Sequence, residues 1–252
     1  MWQATLQIWL ALMLRDIRTR RGPSRMTFLL AIVEPLGQLT VVYIVFRALN
    51  RKADFGPNLY LFLLTGVLPY FLFTHIVSRI MSAVRVAHPL LPLRVVTVVD
   101  VAIAQLFVET LTIIILSTIL MGAASFFGIE GVAPFNGIQV MLAVLVMSLT
   151  AFGVGLFNAA VAGHFSVYRM VWTLMARSLI FFSNVFYVID FLPQKFRDVL
   201  WWNPLLHGII WFRTGMYQFY PAGTLSYSYA IAFCLCSILM GLAAQRVLQR
   251  YA

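Results

Sequence analysis

Six stretches of this sequence are predominantly apolar over roughly twenty residues or more, the length a helix needs to cross a bilayer. They run from about Met26 to Leu49, Leu59 to Met81, Val96 to Phe127, Gly137 to Phe165, Tyr168 to Ile189 and Ser226 to Leu248. The whole chain is 62% hydrophobic and 10% charged. A soluble domain of 252 residues could not hide that much apolar surface. The expectation is an all-α integral membrane protein with six transmembrane helices and one domain, the bundle itself. Gly122 is a candidate break in the third span. Gly155, Ala159 and Gly163 repeat at four-residue spacing in the fourth, a pattern that lets helix backbones approach closely, within a subunit or between two.

Charge orients the bundle. Residues 1–24 begin with Trp2, Leu6, Trp9, Met13 and Ile17 at helical spacing, with Gln3, Gln7, Arg15 and Arg18 elsewhere on the wheel. The apolar run is too short to span, and its charges follow it rather than precede it, the wrong order for a secretory signal. It reads as an amphipathic helix on the membrane surface. Arg15, Arg18, Arg20, Arg21 and Arg25 then place the N-terminus in the cytoplasm, and six spans return the C-terminus there beside Arg246 and Arg250. The net charge of +10 follows this positive-inside pattern, so nucleic acid is not an expected partner. The first outer loop, with Arg47, Arg51 and Lys52, runs against the pattern.

Phe181 to Tyr220, which starts in the end of the fifth stretch, is too charged to be one span and too apolar to be an ordinary loop. Asp190, Lys195, Arg197, Asp198, His207 and Arg213 interrupt it, and Pro193 and Pro204 break it, yet it holds Trp201, Trp202 and Trp211. Aromatic residues gather at membrane interfaces, and non-helical backbone at membrane depth needs protein or a water-filled cavity around it. Residues 190–223 therefore predict two short re-entrant helices, hinged at Asn203-Pro204, on the outer face and bordering a cavity. The three tryptophans are the expected interface anchors.

No catalytic set is present. There is no GxxxxGK[ST] phosphate loop, no HExxH and no Gly-x-Ser-x-Gly, and the four histidines are far apart in sequence. Cys234 and Cys236 point to different faces of a helix and make no metal pair. The chain is thus read as a non-enzyme that binds no cofactor or metal. Glu34, Glu109 and Arg177 lie at membrane depth, where each ionisable group is costly and a functional candidate. A Glu109–Arg177 structural pair is the plain reading, a proton relay or polar substrate path the others. Between spans two and three, Pro89 and Pro92 forbid a continuous helix. Leu90, Leu91 and Leu93, rimmed by Arg85, His88 and Arg94, make an apolar knob of the kind that docks into another protein.

Several motifs carry a family resemblance. They are Leu64-Thr65-Gly66-Val67-Leu68-Pro69-Tyr70-Phe71, then Leu90-Leu91-Pro92-Leu93 with Asp100, then Ser183-Asn184-Val185-Phe186-Tyr187. The most specific is Trp202-Asn203-Pro204-Leu205-Leu206-His207 with Trp211-Phe212-Arg213. Over nearly its whole length the chain resembles ABC-2 type exporter permeases of bacterial polysaccharides, the capsular branch above all. That resemblance implies an inner-membrane homodimer carrying two ATP-binding cassette subunits, which use ATP and Mg to move a lipid-linked acidic polysaccharide to the periplasm. Periplasmic and outer-membrane export proteins would continue the path. It further implies that Arg15, Arg18, Arg85, His88, Leu90, Leu91 and Arg94 contact the ATPase, and that the insert before span six is a periplasmic gate.

A sliding polyanion needs cations and flat aromatic faces. Arg47, Arg51, Lys52, Lys195, Arg197 and Arg213, with Trp201, Trp202, Asn203, Pro204 and Trp211, are the expected exit and gate residues. On that expectation Arg47→Ala or Arg213→Ala lowers export and leaves assembly intact. The alternatives are an ABC-2 permease for O-antigen or teichoic-type polymers or for a small lipophilic drug, and a secondary transporter, which would need inverted repeats that the sequence lacks.

Overall fold

The computed structural model describes residues 2–21, 26–87, 96–165 and 167–248; at 2–6, 18–21, 26–35 and 248 it describes the backbone alone. No strand occurs among the described residues. Ten α-helices do: α1 (Trp2–Arg21), α2 (Met26–Ala48), α3 (Leu59–Met81), α4 (Ala83–Ala87), α5 (Val98–Phe126), α6 (Gly137–His164), α7 (Tyr168–Phe182), α8 (Gln194–Leu200), α9 (Pro204–Met216) and α10 (Tyr227–Leu248). A 3₁₀ turn, Ile189–Phe191, precedes α8. Side-chain caps set several starts. Asn58 accepts from the Tyr60 amide, Asn136 from those of Ile138 and Gln139, and Thr97 forms a reciprocal capping box with Asp100.

By length and composition, α3, α5, α6 and α10 (as Tyr227–Val247) can each cross a membrane. The hub is α3. It is buried along nearly its whole length and packs on α5, α6 and α9, with α2 and α7 as lighter flanking contacts. The fourth apolar stretch resolves as a packing element. A Cβ on Gly155 would meet Ile80 of α3 at 2.8 Å, and one on Gly153 would meet the Ser237–Ile238 backbone of α10 at 2.4 Å. The small residues of α6 therefore let α3 and α10 approach within the subunit.

The structure corrects two boundaries. α5 runs unbroken through Gly122, because its hydrogen-bond ladder and an open environment around that residue leave nothing to bend it. α7 has only 15 residues, where the apolar pattern predicts a span from Tyr168 to Ile189. Asn184 takes a left-handed conformation (φ 62°), which stops the helix and turns the chain across the bundle.

Candidate functional site

An open cleft of about 1170 Å³ lies between α2, α3, α7 and the turn after α7. The α3 wall places Phe71, His75 and Arg79 one turn apart on one face. The α7 wall does the same with Thr173, Arg177 and Phe181. Tyr70 holds the two walls in register by donating to the Ala176 carbonyl at 2.8 Å. At one mouth Phe46, Phe181 and Phe186 form an aromatic chain with centroid spacings of 5.7 Å, and the Arg51 guanidinium lies 5.4 Å from the Phe46 ring. Among the described residues three arginines and no carboxylate line this cleft. Such a surface attracts anions and offers flat apolar faces to sugar rings. Glu34 has no described side chain. Among the described residues no cluster of three His, Cys, Asp or Glu could hold a metal ion.

Arg213 is not where the sequence reading puts it. It is 0% exposed and makes no ion pair among the described residues. Its Nη1 donates to the Asn184 and Tyr187 carbonyls at 2.8 and 3.2 Å and to the Tyr220 hydroxyl at 3.2 Å. Its Nη2 donates to the Val185 and Phe62 carbonyls at 2.8 and 3.1 Å, and its Cζ lies 4.1 Å from the Phe62 ring centroid. Polar segments without a regular ladder must find donors when buried, and this guanidinium supplies them to the turn after α7. Gly66 gives it room, since a Cβ there would sit 2.6 Å from the Val185 oxygen and 2.7 Å from Arg213 Nη2. Arg213 is thus a buried tie between α3, α9 and the turn that presents Phe186 and Tyr187 to the cleft. At 0% exposure it offers a polymer no surface in this structure, and intact assembly of an Arg213→Ala variant does not follow from such a position.

The insert does form two short helices around Asn203-Pro204. α8 has no buried residue, whereas 11 of the 13 residues of α9 are buried. So α9 packs into the bundle instead of lying at a surface, because its leucines, isoleucines and glycines fit against α3 and α6. Trp211 is buried and donates to Gln139, which removes it from the interface anchors; Trp202 is 70% exposed and Trp201 partly buried. Asn203 is a tied joint: its Oδ1 caps α9 at the Leu205 amide, and its Nδ2 donates to the Phe182 carbonyl and the Ser183 hydroxyl. Pro204 occupies the first helical position, where no donor is missed. His207 donates from Nε2 to the Trp201 carbonyl (2.7 Å) and accepts the Ser226 amide at Nδ1 (3.3 Å), which is a neutral tautomer. Burial holds its pKa below the usual histidine range. A smaller cavity of about 290 Å³ lies beside α8, lined by Arg197 and Trp201. Lys195 and Lys52 are exposed, and Arg47 donates to the Tyr43 hydroxyl at 2.8 Å.

Glu109 pairs with Arg79, at 2.8 Å, and not with Arg177. Arg79 is in the last turn of α3, so Glu109 is level with the end of that helix and not with its middle. Arg79 and His75 are the cleft residues that sequence reasoning passed over. Their one-turn spacing after Phe71 in an otherwise apolar span was the available signal. At the same end of the bundle, Trp9 of α1 donates to Asp100 at 2.8 Å and fixes the amphipathic helix on α5. Arg85 is exposed on α4; the Arg18 side chain and His88, Leu90, Leu91 and Arg94 lie outside the described residues.

Residues 7–217 match the ABC-2 type transporter family. The chain belongs to that family. Among curated proteins the permease is similar to the polysialic acid transport protein KpsM of Escherichia coli, 30% identical over 94% of this chain and 91% of that protein. It is also similar to the capsule polysaccharide export inner-membrane proteins CtrC of Neisseria meningitidis serogroup A (27%, over 96% and 90%) and BexB of Haemophilus influenzae (26%, over 92% and 87%).

Proposed function

We propose that the permease is the membrane subunit of an ATP-driven exporter that moves a lipid-linked acidic capsular polysaccharide across the bacterial inner membrane. In this reading it acts as a homodimer with two ATP-binding cassette subunits, which use ATP and Mg, and hands the polymer to periplasmic and outer-membrane export proteins. α2 and α7 join α3, α5, α6 and α10 as the six spans, with both termini cytoplasmic. The cleft between α2, α3 and α7 is one wall of the path, and α8 with Arg197, Lys195 and Trp202 borders its outer end. α1, Arg85 and the loop of Leu90 and Leu91 face the ATPase.

The observation that carries this reading is the cleft lined by Arg51, Arg177 and the Glu109-paired Arg79 among aromatic rings, with no carboxylate among its described lining residues. The names of the capsule-export relatives support the same substrate class. A small lipophilic drug would be better served by a mainly apolar cavity. The test is surface polysaccharide in cells carrying Arg51→Gln with Arg177→Gln. Export is expected to fall about ten-fold or more, as befits the loss of two charge-assisted contacts, while the ATP-binding subunit still co-purifies. Surface polysaccharide at the unsubstituted level would remove the cleft from the path.

A further inference from the structure

The Arg79–Glu109 pair is lopsided. The Glu109 side chain is 4% exposed, inside the packing of α5 against α3, whereas the Arg79 side chain is 48% exposed and lines the cleft. The contact is made by Nε of Arg79 to Oε1 of Glu109. A guanidinium carries its five N–H donors in one rigid plane. The contact at Nε holds the head of the side chain against α5 while the side chain as a whole stays half exposed at the cleft. Ordering a long side chain normally opposes ligand binding, and here the fold has already ordered it.

The pair also has little net charge. A bare arginine in a partly dry cleft would hold an anion firmly, which does not suit a polymer that must move on. With a carboxylate 2.8 Å behind it, Arg79 keeps directed donors but loses most of its long-range pull. Its neighbours extend the same surface. His75 lies one turn before it on α3, with its ring 5.5 Å from that of Phe71, and Arg177 lines the opposite wall.

We propose that Arg79 is an anion contact for the carboxylate or phosphate groups of the passing polymer, that Glu109 is the residue positioning it, and that this pair sets the preference for acidic over neutral glycan. The inference rests on the cleft being the path. It differs from a purely structural ion pair in one respect that can be measured: the two residues act on anion binding with opposite sign.

The experiment uses the permease with its ATP-binding subunit in phosphatidylcholine nanodiscs and reads binding of fluorescent oligogalacturonate, an acidic probe, against a dextran oligosaccharide of equal length. Arg79→Gln is expected to weaken acidic-probe binding about ten-fold, the weight of one charge-assisted contact, and to leave the neutral probe unchanged. Glu109→Gln is expected to tighten acidic-probe binding and slow its release, with export in cells reduced. Arg79→Lys restores part of the preference. Because Arg79→Gln alone takes a guanidinium away from a buried carboxylate, the double variant Arg79→Gln/Glu109→Gln serves as the second test and must also bind the acidic probe more weakly than the unsubstituted protein. Shifts of the same sign for Arg79→Gln and Glu109→Gln, or no shift in either, overturn the proposal. It is also overturned if phosphatidylglycerol discs abolish probe binding through Arg79, since the site would then hold lipid headgroups. Failure of the unsubstituted complex to bind the acidic probe at all would instead count against the cleft as the path.

Discussion

At the scale of single residues, the decisive fact is how differently the arginines are used. Arg51, Arg79 and Arg177 line a cleft, and Arg213 is sealed in the core. A buried guanidinium is expensive unless its donors are satisfied; five acceptors surround the two Nη groups of this one, and its Nε has no partner among the described residues. Removing it leaves several buried carbonyls without a donor, at about 1–3 kcal/mol each before relaxation. Arg213→Met is therefore expected to lower stability by several kcal/mol, on the order of 3 or more. Gly66→Ala is expected to cost about 1–3 kcal/mol by forcing a methyl group against the Val185 carbonyl. Thermal unfolding in detergent, followed by tryptophan fluorescence, checks both; an unchanged melting temperature in either variant contradicts the tie. Nothing in the spelling Trp-Phe-Arg distinguishes a buried arginine from an interfacial one. The acceptors come from α3, the turn after α7 and Tyr220, which only tertiary structure brings together.

At the scale of elements, the apolar pattern locates the long helices within a few residues because each must satisfy its own backbone in a setting without water. α3 begins and ends at Leu59 and Met81, as the pattern predicts, and α6 and α10 differ by a residue or so at one end. The pattern fails where the chain leaves that rule. α7 stops at Phe182 because Arg213 supplies donors to the turn that follows, so an apolar stretch need not continue as helix. The amphipathic helix α1 is legible from its wheel, but its docking is not. Trp9 anchors it to Asp100 at the start of α5. Trp9→Ala is expected to free α1, so that trypsin cleaves the Arg15–Arg21 region several-fold faster while the spans stay intact. Equal cleavage rates would mean that the hydrogen bond contributes nothing to docking.

At the scale of the whole molecule, the cleft is open, and two of its walls, α2 and α7, pack only lightly on α3. Both flanking helices carry exposed apolar residues, among them Val41, Ile44, Leu174 and Met175. A second copy of the chain across this opening would enclose the path proposed above. The expected mass of the detergent-solubilised permease, from light scattering corrected for detergent, is that of two chains. A single-chain mass in an export-competent preparation would leave the cleft walled by lipid.

The sequence by itself determined the class of molecule: apolar length and charge placement leave a multi-helix membrane protein as the only way to solvate this chain, and the motifs around Pro69 and Asn203-Pro204 point to its family. It also singled out Glu109 and Arg177 as candidates, since charges inside apolar helices are too costly to be incidental, but it passed over Arg79 and His75. Tertiary structure decided their partners. It gave Glu109 to Arg79, moved Arg213 and Trp211 into the core, and gathered Arg51, Arg79 and Arg177 from three separate segments into one cleft. The reason is physical. The cost of a buried charge depends on which group lies within about 3 Å of it, and that distance is set by helix packing, not by spacing along the chain.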